Sequence, residues 1–100
     1  MNKKIPPTKN HEALYEAILK LDTLEECRAF FEDICTIKEL QDLSQRYLVA
    51  QMLSDGKNYQ EICTVTGAST ATICRVNKCL TWGEGYRLVL DKENTKREGD

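Results

Sequence analysis

The chain has 100 residues, 41% of them hydrophobic and 30% charged, and a formal charge of −2. That is enough for one domain with a modest core. No apolar run approaches the roughly eighteen residues of a membrane helix, and an acidic balance, pI about 5.4, excludes indiscriminate attraction to nucleic acid.

Residues 1–10, M-N-K-K-I-P-P-T-K-N, read as a disordered basic arm, because the Pro6-Pro7 pair stops a helix there. The lysines are followed by no apolar run, so a signal peptide is not evident and a cytoplasmic location is expected. The first helix is predicted from His11 to about Leu21, with Leu14, Ile18 and Leu21 on its apolar face and Ala17 beside them. Asp22 or Thr23 starts the second helix, where Thr23 and Glu26 have the spacing of a capping box. Its apolar stripe holds Leu24, Cys27, Phe30, Phe31 and Ile34. Adjacent phenylalanines cover two sides of a helix. The stripe is therefore wide enough for a subunit interface, although a well-covered internal helix has the same pattern.

Thr36 opens a third helix, again with a box partner in Glu39, and Asp55-Gly56 closes it after about Ser54. Ile37, Leu40, Leu43, Tyr47, Ala50 and Leu53 run along it, widened by Leu48, Val49 and Met52. This is the longest element and the natural scaffold. Arg46 sits among apolar neighbours, so its guanidinium needs a carboxylate, a ring face or a ligand, and a surface ion pair is the plain account.

From Asn58 to Leu80 two short helical patterns flank Gly67. Ile62, Cys63 and Thr66 share one face of the first, and Ile73, Val76 and Leu80 share one face of the second. Gly67 stands where a helix ends most easily in a left-handed conformation, and Ser69 or Thr70 offers a hydroxyl to cap the next helix. This is the pattern of a helix-turn-helix. The outer face of its second helix carries Ser69, Thr70, Thr72, Arg75 and then Asn77 or Lys78, groups that reach phosphates and base edges. An αα-hairpin with a solvated polar face is the plainer alternative.

Beyond it, Gly83 and Gly85 form a hinge, Tyr86, Leu88, Val89 and Leu90 suggest a short closing helix, and residues from Glu93 onward are expected to fray. The chain thus reads as one all-α domain over 11–92, with an arm at 1–10, a tail at 93–100 and no second domain. Charge is unevenly spread: residues 11–35 sum to −5 and residues 57–81 to +2, so the proposed DNA-contacting segment is the basic part of an acidic chain. The cysteines, Cys27, Cys35, Cys63, Cys74 and Cys79, show neither zinc-ribbon nor redox spacing. Cys27, Cys63 and Cys74 fall at core positions, where a thiol acts as a small apolar group. Free thiols and no metal site are the expectation.

Several segments resemble the YerC/YecD family, which is related to the tryptophan repressor. They are L-E-E-C at 24–27, F-F-E-D-I-C-T-I at 30–37, Q-R at 45–46 and T-G-A-S-T-A-T-I-C-R-V at 66–76, and the likeness continues to about Lys92. The resemblance implies about six helices and a dimer intertwined through its N-terminal helices. It also implies two helix-turn-helix units meeting successive major grooves. In the repressor two arginines hold the corepressor, and Arg46 and Arg75 match them. Val76 replaces a glycine against which an indole packs, Cys79 replaces a serine that holds the ligand's polar end, and the segment before Gly67 is one residue shorter. A small-molecule corepressor is implied, but these departures argue against tryptophan.

The reading is a homodimeric, sequence-specific regulator of transcription, a repressor by resemblance, that binds double-stranded DNA. Thr70, Ala71 and Thr72 are assigned to base edges, Lys57, Ser69 and Lys78 to phosphates, and Arg75 to either DNA or an effector site shared with Arg46, Val76 and Cys79. Leu24, Phe30, Phe31 and Ile34 are assigned to the dimer interface. The alternative is a protein-interaction module that has kept the helix-turn-helix. No nucleophile–base pair suggests an enzyme: the one histidine, His11, lies at the start of the first helix.

Overall fold

The structure, a computed structural model, describes residues 8–99, with side chains through Glu93. Its described residues form six helices: α1 Lys9–Leu19, α2 Leu24–Ile34, α3 Ile37–Ser54, α4 Tyr59–Thr66, α5 Thr70–Trp82 and α6 Gly85–Gly99. The order and the all-α class agree with the sequence reading. Most of the expected arm lies outside the described residues.

Local chemistry sets the boundaries. Thr8 caps α1 by accepting from His11 N at 3.1 Å, so the helix begins two residues before the predicted His11. Thr23 caps α2, accepting from Glu26 N at 3.0 Å, while the Glu26 carboxylate reaches back to Asp22 N at 2.8 Å. Thr36 and Glu39 complete the reciprocal box before α3, at 2.8 and 3.1 Å. The end of α3 is a Schellman motif. Gly56 takes φ 85°, its N–H donates to Leu53 O, and Lys57 N–H donates to Met52 O, both at 3.0 Å.

Two compact units divide the chain, one reaching through Gln41 and the other starting at Asp42, within α3. The first holds α1 and α2, and neither helix has a buried residue. Leu19, Leu24 and Ile37 are 81%, 69% and 81% exposed. Phe30 and Phe31 are half-buried and meet edge to face, with ring centroids 5.6 Å apart and planes at 88°.

The core belongs to the second unit. Val49 and Ala50 of α3, Ile62 of α4, Ala68 of the turn, Ile73, Val76 and Leu80 of α5 and Leu90 of α6 form one buried cluster. Along α3 the buried pair is thus Val49 and Ala50, while Leu43 and Leu48 are exposed. Tyr86 and Leu90, four residues apart, give the inner face of α6, and Leu88 and Val89 point outward. Two expectations fail here. Cys74 is exposed rather than a core thiol, because Ile73 and Val76 use the inward positions on either side of it. The closing helix is not short: α6 continues to Gly99, past the residue at which fraying was expected. All five cysteines are free.

Candidate nucleic-acid interface

The interface is built around one turn. Asn58 caps α4 by accepting from Glu61 N at 2.8 Å. Gly67 ends α4 in the left-handed region, φ 73° and ψ 4°, with its N–H donating to Cys63 O at 2.9 Å. Thr66 braces the turn on both sides: its hydroxyl donates to Ile62 O at 2.7 Å and accepts from Ala68 N at 3.0 Å. The Gln45 side chain on α3 donates to Thr66 O at 3.1 Å and ties the turn to the scaffold helix. Buried Ala68 then seats the turn against the core.

Of the two hydroxyls offered as caps, Ser69 is the one used. It accepts from Thr72 N at 3.1 Å and donates to the Thr72 hydroxyl at the same distance. Ile73, Val76 and Leu80 fix the rotation of α5 by burial, and its other side faces solvent. Ser69, Thr70, Ala71, Arg75 and Lys78 are exposed there, as is Lys57 just ahead of α4. Thr72 differs: it is half-buried, and its hydroxyl is engaged with Ser69, so it is less free to meet a base edge than Thr70 or Ala71.

Tyr59, which no sequence pattern singles out, cross-braces the two helices. Its ring packs against the core, and its hydroxyl lies within electrostatic reach of Cys74 and Asn77 of α5. Burial pushes its pKa up, and the Cys74 thiol adds to this while Asn77 opposes it. Tyr47 is raised too, by burial and then by Glu93, whose carboxylate accepts from the Tyr47 hydroxyl and from Gln51 Nε2, both at 3.3 Å.

The residues matched to an effector site divide. Val76 is 1% exposed and belongs to the core. Arg46, Arg75 and Cys79 instead lie within electrostatic reach of the Tyr86 hydroxyl. Burial raises the Tyr86 pKa, with Cys79 adding to it and the two arginines opposing. Sequence periodicity places Tyr86 on an apolar helix face and misses its polar end. The signal is the phenol itself, which when partly buried needs a partner.

A family model described as Trp repressor protein matches residues 9–94. The chain belongs to the Trp repressor family. It is 52% identical over 85 residues to the uncharacterized protein YerC of Bacillus subtilis (strain 168), a match spanning 84% of this chain and 82% of that one. Two crystal structures superpose with a TM-score of 0.83 each. One, from Staphylococcus aureus, bears a provisional description as a Trp repressor. It is 46% identical and covers 88% of this chain and 89% of its own. The other, a TrpR-like protein from Eubacterium eligens ATCC 27750, is 49% identical, with 87% and 91% covered. These matches agree with the resemblance read from residues 24–37 and 66–76. No helix among the described residues is long and apolar enough to cross a membrane.

Proposed function

We propose that this Trp repressor family member is a sequence-specific regulator of transcription, a repressor, that binds double-stranded DNA as a homodimer and catalyses no reaction. One observation carries the reading. The capped start of α5 and its solvent side present Ser69, Thr70, Ala71, Arg75 and Lys78 together, while Ile73, Val76 and Leu80 on the opposite side are buried. Hydroxyls and a methyl on the first turn suit base edges and thymine methyls, and the exposed cations suit phosphates. The first unit supports the homodimer. Leu24 and Ile34 are 69% and 51% exposed beside half-buried Phe30 and Phe31, an apolar face that a second copy would cover.

The acidic net charge favours the rival reading, a module that binds another protein. Fluorescence anisotropy with a selected duplex and a scrambled one, over a salt series, separates the two. The regulator binds the selected duplex more tightly, with affinity falling as salt rises. Negligible binding of both duplexes at low salt removes DNA recognition and leaves the protein-interaction reading.

A further inference from the structure

We propose that Gln45, on the scaffold helix α3, holds the start of α5 in register and so governs discrimination between DNA sequences without touching DNA, a consequence that rests on the regulator reading. Thr66 is the last residue of α4, so its carbonyl lies beyond the reach of that helix's own N–H groups. Its hydroxyl is already engaged, donating to Ile62 O and accepting from Ala68 N. The carbonyl takes its hydrogen bond from another helix: Gln45 Nε2 donates to it at 3.1 Å, in a part-buried setting. Gln45 lies one turn before Val49 on α3, and Val49 is fully buried in the core. The donor is therefore carried by a rigid element.

The turn needs such an anchor. Gly67 follows at once in the left-handed region, and no heavy atom outside Gly67 and its two chain neighbours lies within 4 Å of where a Cβ would stand. Side-chain packing does not fix the backbone on that side. Buried Ala68 pins the far end of Gly67, and the Gln45 bond pins the near end. Ser69 then caps α5, and Thr70 begins it. A displacement at Thr66 thus passes through one glycine to the residues assigned to base edges. Long lysine side chains keep a phosphate through a small shift of the helix, whereas short groups such as Thr70 and Ala71 meet a base edge in one register only. Loosening the turn therefore costs discrimination before it costs general affinity. A neutral amide suits the position. It donates to a carbonyl without bringing a charge, whereas a carboxylate only accepts and would face the Thr66 oxygen with like polarity.

The test uses the full chain. In Gln45→Leu, the amides of Gly67 and Ala68 should exchange hydrogen faster than in wild type, while those of Ile73 and Val76 keep their protection. Anisotropy should show the preference for the selected over the scrambled duplex falling about two- to tenfold for each α5 engaged, the share of one hydrogen bond. Affinity for the scrambled duplex and its salt slope should stay as in wild type. Gln45→Glu supplies a readout that lost packing does not imitate. Ionised, it cannot donate; protonated, its O–H can. Its preference and its turn protection, each taken relative to wild type at the same pH, should be as poor as those of Gln45→Leu at neutral pH. Both should recover as pH falls toward about 4.5, the ordinary carboxyl range. If Gln45→Leu does not fold, Gln45→Asn, which keeps the amide and shortens its reach by one carbon, carries the same comparisons. Equal weakening of both duplexes overturns the proposal. So do turn amides that exchange as in wild type, or a Gln45→Glu protein that tracks Gln45→Leu at every pH. Wild type that binds neither duplex defeats the regulator reading, and the exchange arms still decide whether Gln45 holds the turn.

Discussion

Gly67→Ala tests whether the turn at the centre of the interface rests on backbone conformation alone. At Gly67, φ is 73°, and no heavy atom outside Gly67 and its two chain neighbours lies within 4 Å of where a Cβ would stand. The change therefore meets no clash with the rest of the fold. It also spares the 2.9 Å bond from Gly67 N–H to Cys63 O, which alanine can make. What remains is the left-handed penalty of an L residue, about 1–2 kcal/mol, partly offset by about 0.4–1 kcal/mol from the stiffer unfolded chain. The net loss is about 1 kcal/mol, a fall in melting temperature of roughly 4–8 °C for a domain of this size. Gly67→Asn should lose less, because asparagine tolerates that region. Gly83→Ala has the opposite origin. Its φ of −96° suits any residue, but the new Cβ would stand 2.9 Å from the backbone oxygen of Cys79, so the α5–α6 corner must shift. The assay is thermal and urea denaturation at one fixed chain concentration, since association would shift both transitions. Gly67→Ala as stable as wild type, or Gly67→Asn less stable than Gly67→Ala, would refute the reasoning.

Ile62→Ala removes a fully buried side chain at the centre of the core, and should cost about 2–5 kcal/mol in urea unfolding. A loss under about 1 kcal/mol would mean that the site collapses around the smaller residue. Tyr47, Tyr59 and Tyr86 all have raised pKa values, first because burial disfavours the phenolate. The unfolded chain then releases these protons at lower pH than the folded one. Their contribution to stability is whole below the ordinary phenol value, about 10, and is lost as pH rises through the folded values. Stability that stays flat from about pH 9 to 11 would contradict this. Lys78→Ala should weaken binding to selected and scrambled duplexes alike and flatten the salt slope by about one, the share of a single neutralised phosphate. A change in sequence preference instead would place Lys78 at a base edge.

Secondary structure is legible wherever a boundary is made by neighbours in sequence. Thr23 with Glu26, Thr36 with Glu39, Gly56 and Gly67 each act within one turn of the residues they pair with, so spacing alone reveals them. The inward faces of α4 and α5 are legible for the same reason, since Ile62, Ile73, Val76 and Leu80 keep helical periodicity and are buried. What spacing cannot show is which of two apolar neighbours faces in. Leu88 and Val89 look equivalent to Leu90 in sequence, yet only Leu90 is buried, because Tyr86 and Leu90 together set the inner face of α6. Cys74 is misplaced by spacing in the same way. The long-range braces leave no local trace either. Gln45 to Thr66, and Tyr47 and Gln51 to Glu93, join residues from different helices, and each requires the packed fold before it has a partner.

On the DNA-binding reading, the two units address one physical problem from different sides. Residues 57–81 carry a net charge of only +2, so the electrostatic affinity of one α4–α5 unit for phosphate is small. Rigidity recovers part of that deficit. The Gly67 turn, the Thr66 and Gln45 hydrogen bonds and the buried face of α5 fix the exposed residues before any encounter, and groups already in place lose little freedom on binding. Pairing recovers the rest on the homodimer reading. Two weak interfaces held on one body make the second contact intramolecular and raise affinity without any new cation. Weak single contacts have a further consequence for selectivity. A strongly basic face would adhere to any duplex. On the DNA-binding reading, a nearly neutral one holds only where both halves find matching base edges, so the modest charge of residues 57–81 favours sequence discrimination.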